Sequence, residues 1–172
     1  MNRDIILYSD FNCPFCYALG ERLLAAKAAH TIEWRGVQHA PYLPIPMANA
    51  GAALAAELTG EVRAIHQLAP ELAIALPRGK PNSGPAIRAV AAALQINSFG
   101  AHALKDALYR EFWLRGTDIS DASVLQALAH AAGLSDEGNI SGTAKAAEWQ
   151  HAWEASGLGG VPAMVRGDGE IL

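Results

Sequence analysis

Two cysteines, and only two, stand in this chain, and they stand three apart in Asn12-Cys13-Pro14-Phe15-Cys16-Tyr17. Upstream runs Asp4-Ile5-Ile6-Leu7-Tyr8-Ser9, a short apolar stretch of β type. Downstream, Ala18 to Ala29 is rich in helix formers. The pair therefore sits where a buried strand hands over to the first turn of a helix. Free N–H groups and the helix dipole favour an anion there. A thiolate is such an anion, and cysteines so placed titrate at about 3.5–7.5, against about 8.5 for a free thiol. Spacing of three puts both sulfurs on one side of the first turn. Pro14 falls in that turn, where a missing N–H costs little.

Other uses of two cysteines fit less well. A zinc site needs about four ligands. There is no second cysteine pair, and the six histidines (His30, His39, His66, His102, His130, His151) show no paired ligand spacing near the motif. No metal is expected. A structural disulfide across two residues closes a very small loop and stabilises little. Two buried, inert thiols are the remaining plain reading. Strand, Cys-x-x-Cys and helix in this order point instead to redox chemistry.

A chain of 172 residues that is 51% hydrophobic can bury one core unaided. Its net charge of −4 argues against nucleic acid or an anionic membrane as partner. Charges interrupt every alanine-rich run, so no membrane span is expected. No charged and then apolar leader opens the chain. Two cysteines without such a leader fit a reducing cytoplasm and a catalytic role.

Asp4 to Ser9, Cys13 to about Ala29, and Thr31 to Val37 read as strand, helix and strand, a β-α-β opening that closes a parallel pair. Pro41, Pro44 and Pro46 then break the pattern. Helices are expected over Ala52–Gln67, Ala86–Gln95, Gly100–Arg115, Ala122–Ala132 and Thr143–Ser156, with Ser120 or Asp121 capping the fourth and Gly133 ending it. Leu72 to Leu76 is apolar and of undecided type, and Asp136 to Thr143 reads as a polar loop. Gly159-Gly160-Val161-Pro162 leads into a short strand, and Gly167-Asp168-Gly169 signals a hairpin with Glu170-Ile171-Leu172 returning.

Asp10-x-x-Cys13-Pro14-Phe15-Cys16-Tyr17, the all-helical middle and Gly160-Val161-Pro162 together resemble the DsbA-like thiol–disulfide oxidoreductases. The nearest likeness is to their FrnE-type branch, related to 2-hydroxychromene-2-carboxylate isomerases and kappa-class glutathione transferases. Pro81-Asn82-Ser83 and Arg115 to Asp121 share that look. The resemblance implies an α/β, thioredoxin-like fold with a large all-helical insertion. Residues 1–45 and 145–172 would form the thioredoxin part and 46–144 the insertion. It also implies that Cys13 attacks and Cys16 resolves, that Pro162 takes the cis place beside them, and that Val161 offers backbone hydrogen bonds to an extended substrate. A thioredoxin fold normally adds a closing helix. Here Leu172 falls inside the returning strand, so either a following segment is missing or one sheet face stays partly bare, which favours a homodimer.

Two functions compete. The first is a dithiol–disulfide oxidoreductase acting on a disulfide-containing protein or a small thiol, with no cofactor beyond its own redox-active disulfide. The second is a glutathione-dependent isomerase or transferase, in which a serine stands where Cys13 stands and a second thiol has no use. In that case Asn82 and Ser83 would touch glutathione. Phe15 and Tyr17 are expected to line a substrate groove, with Pro14 beside them, although Tyr17 equally fits packing on the insertion. Asp10 reads as a proton shuttle or a solvated loop residue, His39 as facing the site across the end of the second strand or, by preference, as a solvated loop histidine, and Trp113, Trp149 and Trp153 as core. Phe15 brings no charge to the dipeptide, so Cys13 is expected to rely on the helix start and its N–H groups alone.

Overall fold

A computed structural model describes residues 5–134 and 142–172. The β-branched and apolar run Ile5–Ser9 forms β1, and Ile32–Gly36 forms β2 parallel to it, with Ile5 opposite Ile32 and Ser9 opposite Gly36. Between them lies α1, Pro14–Ala25. This helix stops short of the expected Ala29. Lys27 turns to positive φ (56°), and the N–H groups of residues 26–28 close back on the carbonyls of Arg22, Leu24 and Leu23. Late in the chain Ala163–Arg166 forms β3, antiparallel to β1, giving the order β2-β1-β3. The returning strand shrinks to one bridge, Val165 to Ile171.

Between β2 and β3 come α2 (Ala52–Leu68), α3 (Gly84–Ile96), α4 (Ser98–Arg115), α5 (Ala122–Ala131) and α6 (Thr143–Ala155). Two caps explain two starts. The Asn97 side chain accepts the Gly100 N–H, so α4 begins at Ser98 rather than Gly100. Asp121 accepts from Ser123 and Val124 and opens α5. Gly133 takes φ +73° just past the end of α5, a conformation only glycine adopts without strain. Leu72 to Leu76 is irregular, tied to α4 by the Ala75 N–H on the Trp113 carbonyl. The polar loop expected over Asp136 to Thr143 lies mostly outside the described residues.

Alternation along the sheet decides what packs where. Along β2, Ile32, Trp34 and Gly36 are buried while Glu33 and Arg35 between them are half-buried; along central β1, Leu7, Tyr8 and Ser9 are all buried. The buried side meets the helices through a single aromatic seam. Phe11 sits between Trp34 and Tyr109, with ring centroids 5.4 and 4.6 Å away. Trp149 of α6 meets Trp34 edge-on at 5.8 Å. Trp113 of α4 is fully buried and donates its Nε1–H to the Phe11 carbonyl at 2.9 Å. That bond fixes the loop between β1 and α1, and so fixes the two cysteines. The architecture is α/β, a three-stranded sheet with a run of helices between β2 and β3.

Candidate active site

Cys13 is the residue that caps α1, with Pro14 in the first helical position. No side chain accepts a capping bond in the way a Ser or Asp would. The Cys13 sulfur stands in that place. Its pKa lies below a free thiol's ordinary value, chiefly because the Cys16 thiol hydrogen-bonds to it. Burial works against this, while the N–H groups of Cys16 and Phe15 and the charge of His39 work with it. Both cysteines are reduced and buried, Cys13 at 6% exposure and Cys16 at 1%. Burial pushes the Cys16 thiol well above the ordinary value, and the Cys13 charge adds to this. The Ser9 hydroxyl and the Asp10 N–H, which donates to Cys16 Sγ at 3.4 Å, offset part of it. The two sulfurs are therefore pulled in opposite directions, Cys13 toward easier ionisation and the more deeply buried Cys16 away from it.

The Val161–Pro162 peptide bond is cis, as the resemblance implies, and it lies at the site. The Cys13 thiol donates to the Val161 carbonyl at 3.5 Å. Ile45–Pro46 is also cis, which the sequence reading did not foresee. Phe15, Val161 and Pro162 are half-buried and Pro14 is buried; the Phe15 N–H and the Val161 carbonyl both face the Cys13 sulfur. Tyr17 takes the second of its two expected places. It is 3% exposed, its hydroxyl donates to the Ala73 carbonyl at 2.9 Å, and its ring stacks on Trp113.

Two expectations need correction. Asp10 is not a solvated loop residue; it is fully buried. Nor is His39 a solvated loop histidine. Its backbone N–H and its ring Nδ1 both meet Asp10 Oδ2, at 2.9 and 2.8 Å, and 31% of its side chain stays exposed. The Asp10 hydrogen bond raises the His39 pKa, helped by the Asp10 and Cys13 charges and opposed by burial and by Lys80. Cys13 thus has a neighbour, favoured in its protonated form, that the dipeptide does not supply and that lowers its pKa. The signal was present in the strand pairing. Parallel β1 and β2 end together at Ser9 and Gly36, so residue 10 falls beside residues 37–39.

Asn82 is fully engaged in holding the scaffold. It accepts from Gln38 and the Gly84 N–H and donates to the Pro41 and Leu43 carbonyls. Lys80 is buried at 4% exposure and bound to Glu57 and Glu61. Among the described residues no cluster of His, Cys, Asp or Glu is placed to hold a metal, and no helix is long and apolar enough to cross a membrane.

A buried dithiol at a helix start beside a cis proline, on a sheet with an inserted helical layer, defines a thioredoxin-like protein of the DsbA class. The DSBA-like thioredoxin domain matches residues 4–172, and the chain belongs to that family. Solved structures agree on the fold. A probable DsbA oxidoreductase from Streptomyces coelicolor superposes with TM-score 0.77 at 22% identity, covering 98% of this chain and 82% of that one. The cytosolic disulfide reductase DsbM from Pseudomonas aeruginosa, solved with GSH, gives 0.71 at 21% identity over 98% and 88%. A 2-hydroxychromene-2-carboxylate isomerase gives 0.66 at 21% over 98% and 87%. None of the curated proteins compared with the chain matches it.

Proposed function

We propose that this protein is a thiol–disulfide oxidoreductase that works through Cys13 and Cys16 in a reducing cytoplasm. The observation that carries the reading is the opposed pull on the two sulfurs, Cys13 lowered and the less buried of the pair, Cys16 raised and almost wholly covered. The Cys13 thiolate attacks a substrate sulfur and forms a mixed disulfide. Cys16 then attacks Cys13, and the product leaves as a thiol. Half-buried Phe15 and Val161 form the surface that receives the substrate chain, and Pro162 shapes the backbone beside it. No further cofactor enters. Glutathione serves as a small-thiol partner, a reading supported by the GSH-bound disulfide reductase of the same fold. The isomerase reading keeps its fold relative but leaves Cys16 without a task, and Asn82 is already spent on the scaffold. The homodimer belongs to the same reading, and sedimentation of the purified chain tests it.

The deciding experiment uses single variants in a disulfide-exchange assay. Cys13→Ser abolishes turnover, whereas Cys16→Ser accumulates mixed disulfides. Activity that survives Cys13→Ser, or equal trapping by both variants, refutes the assignment.

A further inference from the structure

Resolution of the mixed disulfide sets Cys16 a problem. It must lose a proton as it attacks, yet it is 1% exposed and its substrate-facing side is occupied by Cys13. The Asp10 N–H that touches it is a donor only and takes no proton. The Ser9 hydroxyl does both. Ser9 is 1% exposed, lines the same cavity as Cys16, whose thiol pKa its hydroxyl helps to lower, and lies 2.5 Å from the hydroxyl of Tyr109. Tyr109 comes from α4, a hundred residues away in sequence, and is 5% exposed. Behind these groups is a cavity of about 20 Å³, lined by Cys16, Ser9 and Tyr109 together with His102, Lys105 and Asp106. That volume admits about one water molecule. The lining includes the Lys105–Asp106 pair, 2.9 Å apart, of which the Asp106 side chain is 19% exposed.

We propose that Ser9 and Tyr109 form a proton relay that drains Cys16 through the rear of the site, away from the substrate face. The step rests on the dithiol reading above. As the Cys16 sulfur bonds to Cys13, its proton passes to Ser9 Oγ, the Ser9 hydrogen to the Tyr109 oxygen, and the Tyr109 hydrogen to cavity water and solvent. Both hydroxyls end neutral. The Cys13–substrate bond breaks, its electron pair leaves on the substrate sulfur, and that thiolate takes a proton from solvent. The two cysteines are oxidised and the substrate disulfide is reduced. Run backwards, the same relay reprotonates Cys16.

The test is a stopped-flow reaction of the reduced full chain with an aromatic disulfide whose released thiolate absorbs visible light. One equivalent appears when Cys13 attacks and the second when Cys16 resolves. Tyr109→Phe and Ser9→Ala are expected to leave the first phase within about twofold and to slow the second by about ten- to a hundredfold. Ser9→Thr, which keeps a hydroxyl, restores it. Should Tyr109→Phe fail to fold, the Ser9 pair decides. An unchanged second phase in Ser9→Ala overturns the relay. So does equal slowing of both phases, which marks a scaffold defect. A wild type that releases only one equivalent brings down the dithiol reading itself, a result distinct from a relay that fails while both equivalents appear.

Discussion

Asp10 holds His39 twice with one carboxylate oxygen, through the backbone N–H at 2.9 Å and the ring Nδ1 at 2.8 Å. The carboxylate is wholly buried and the ring is partly open to water. A buried carboxylate needs such donors, because an uncompensated charge in the interior costs several kcal/mol.

From this pair follows a pH dependence. The folded-state pKa of His39 is raised above its ordinary 6.5 by Asp10. A raised value means that the imidazolium's contribution to stability is fully present below about pH 6.5 and is lost as pH climbs through the folded-state value. His39→Gln keeps the backbone N–H bond and removes the charge. Urea titrations are expected to show a larger loss for this variant at about pH 6 than at about pH 8.5. An equal loss at both, or a larger one at the alkaline end, contradicts the paired imidazolium.

Phe15 lies between the cysteines without a titratable group, but the site has one close by. His39 lowers the Cys13 pKa from outside the dipeptide. Phe15→His adds a second donor or cation beside the sulfur. The variant is expected to lower the Cys13 pKa further, stabilise the dithiol form and raise the reduction potential. Each 30 mV of that rise is about 1.4 kcal/mol. Glutathione redox titrations of Phe15→His, alone and with His39→Gln, check both contributions. A potential that stays put or falls in Phe15→His shows that the dipeptide does not set the poise.

Trp113 anchors the loop that carries the cysteines, since its Nε1–H meets the Phe11 carbonyl. Trp113→Phe removes the donor and leaves a buried carbonyl unpaired, at a cost of about 1–3 kcal/mol. The smaller ring adds a cavity penalty. Denaturant unfolding is expected to show a lowered midpoint with little change in slope. A loss below about 0.5 kcal/mol means that the carbonyl finds another partner.

These cases also mark what local sequence conveys. The strand, Cys-x-x-Cys and helix are neighbours in the chain, so their relation is carried by propensity and spacing alone. The Val161–Pro162 bond came from resemblance, not from any local rule. The Asp10–His39 pair spans 29 positions and exists because parallel strands end side by side. Pairing β1 with β2 on paper already places the two residues together, but an exposed-loop prior for histidine outweighed it. Ser9 and Tyr109 are a hundred residues apart. Their meeting depends on how α4 crosses the sheet, and no periodicity in either segment encodes that. Residues 72–76 stayed undecided because their order comes from α4 through Trp113 rather than from a repeat of their own.

The place of the Cys13 sulfur at the start of α1 ties two measurable quantities into one thermodynamic square. Its corners are the dithiol and disulfide forms, each folded and unfolded. In the dithiol form the N–H groups of Phe15 and Cys16 favour an anion on Cys13 and lower its pKa. In the disulfide form that anion is gone, and the helix start goes without it. Whatever the folded helix gains from the anion must appear on the opposite edge as a shift in potential away from that of the unfolded peptide. Heat denaturation of the two forms therefore measures the same free energy as a redox titration. A change made purely to strengthen the first turn of α1 would retune the chemistry of a residue it never touches.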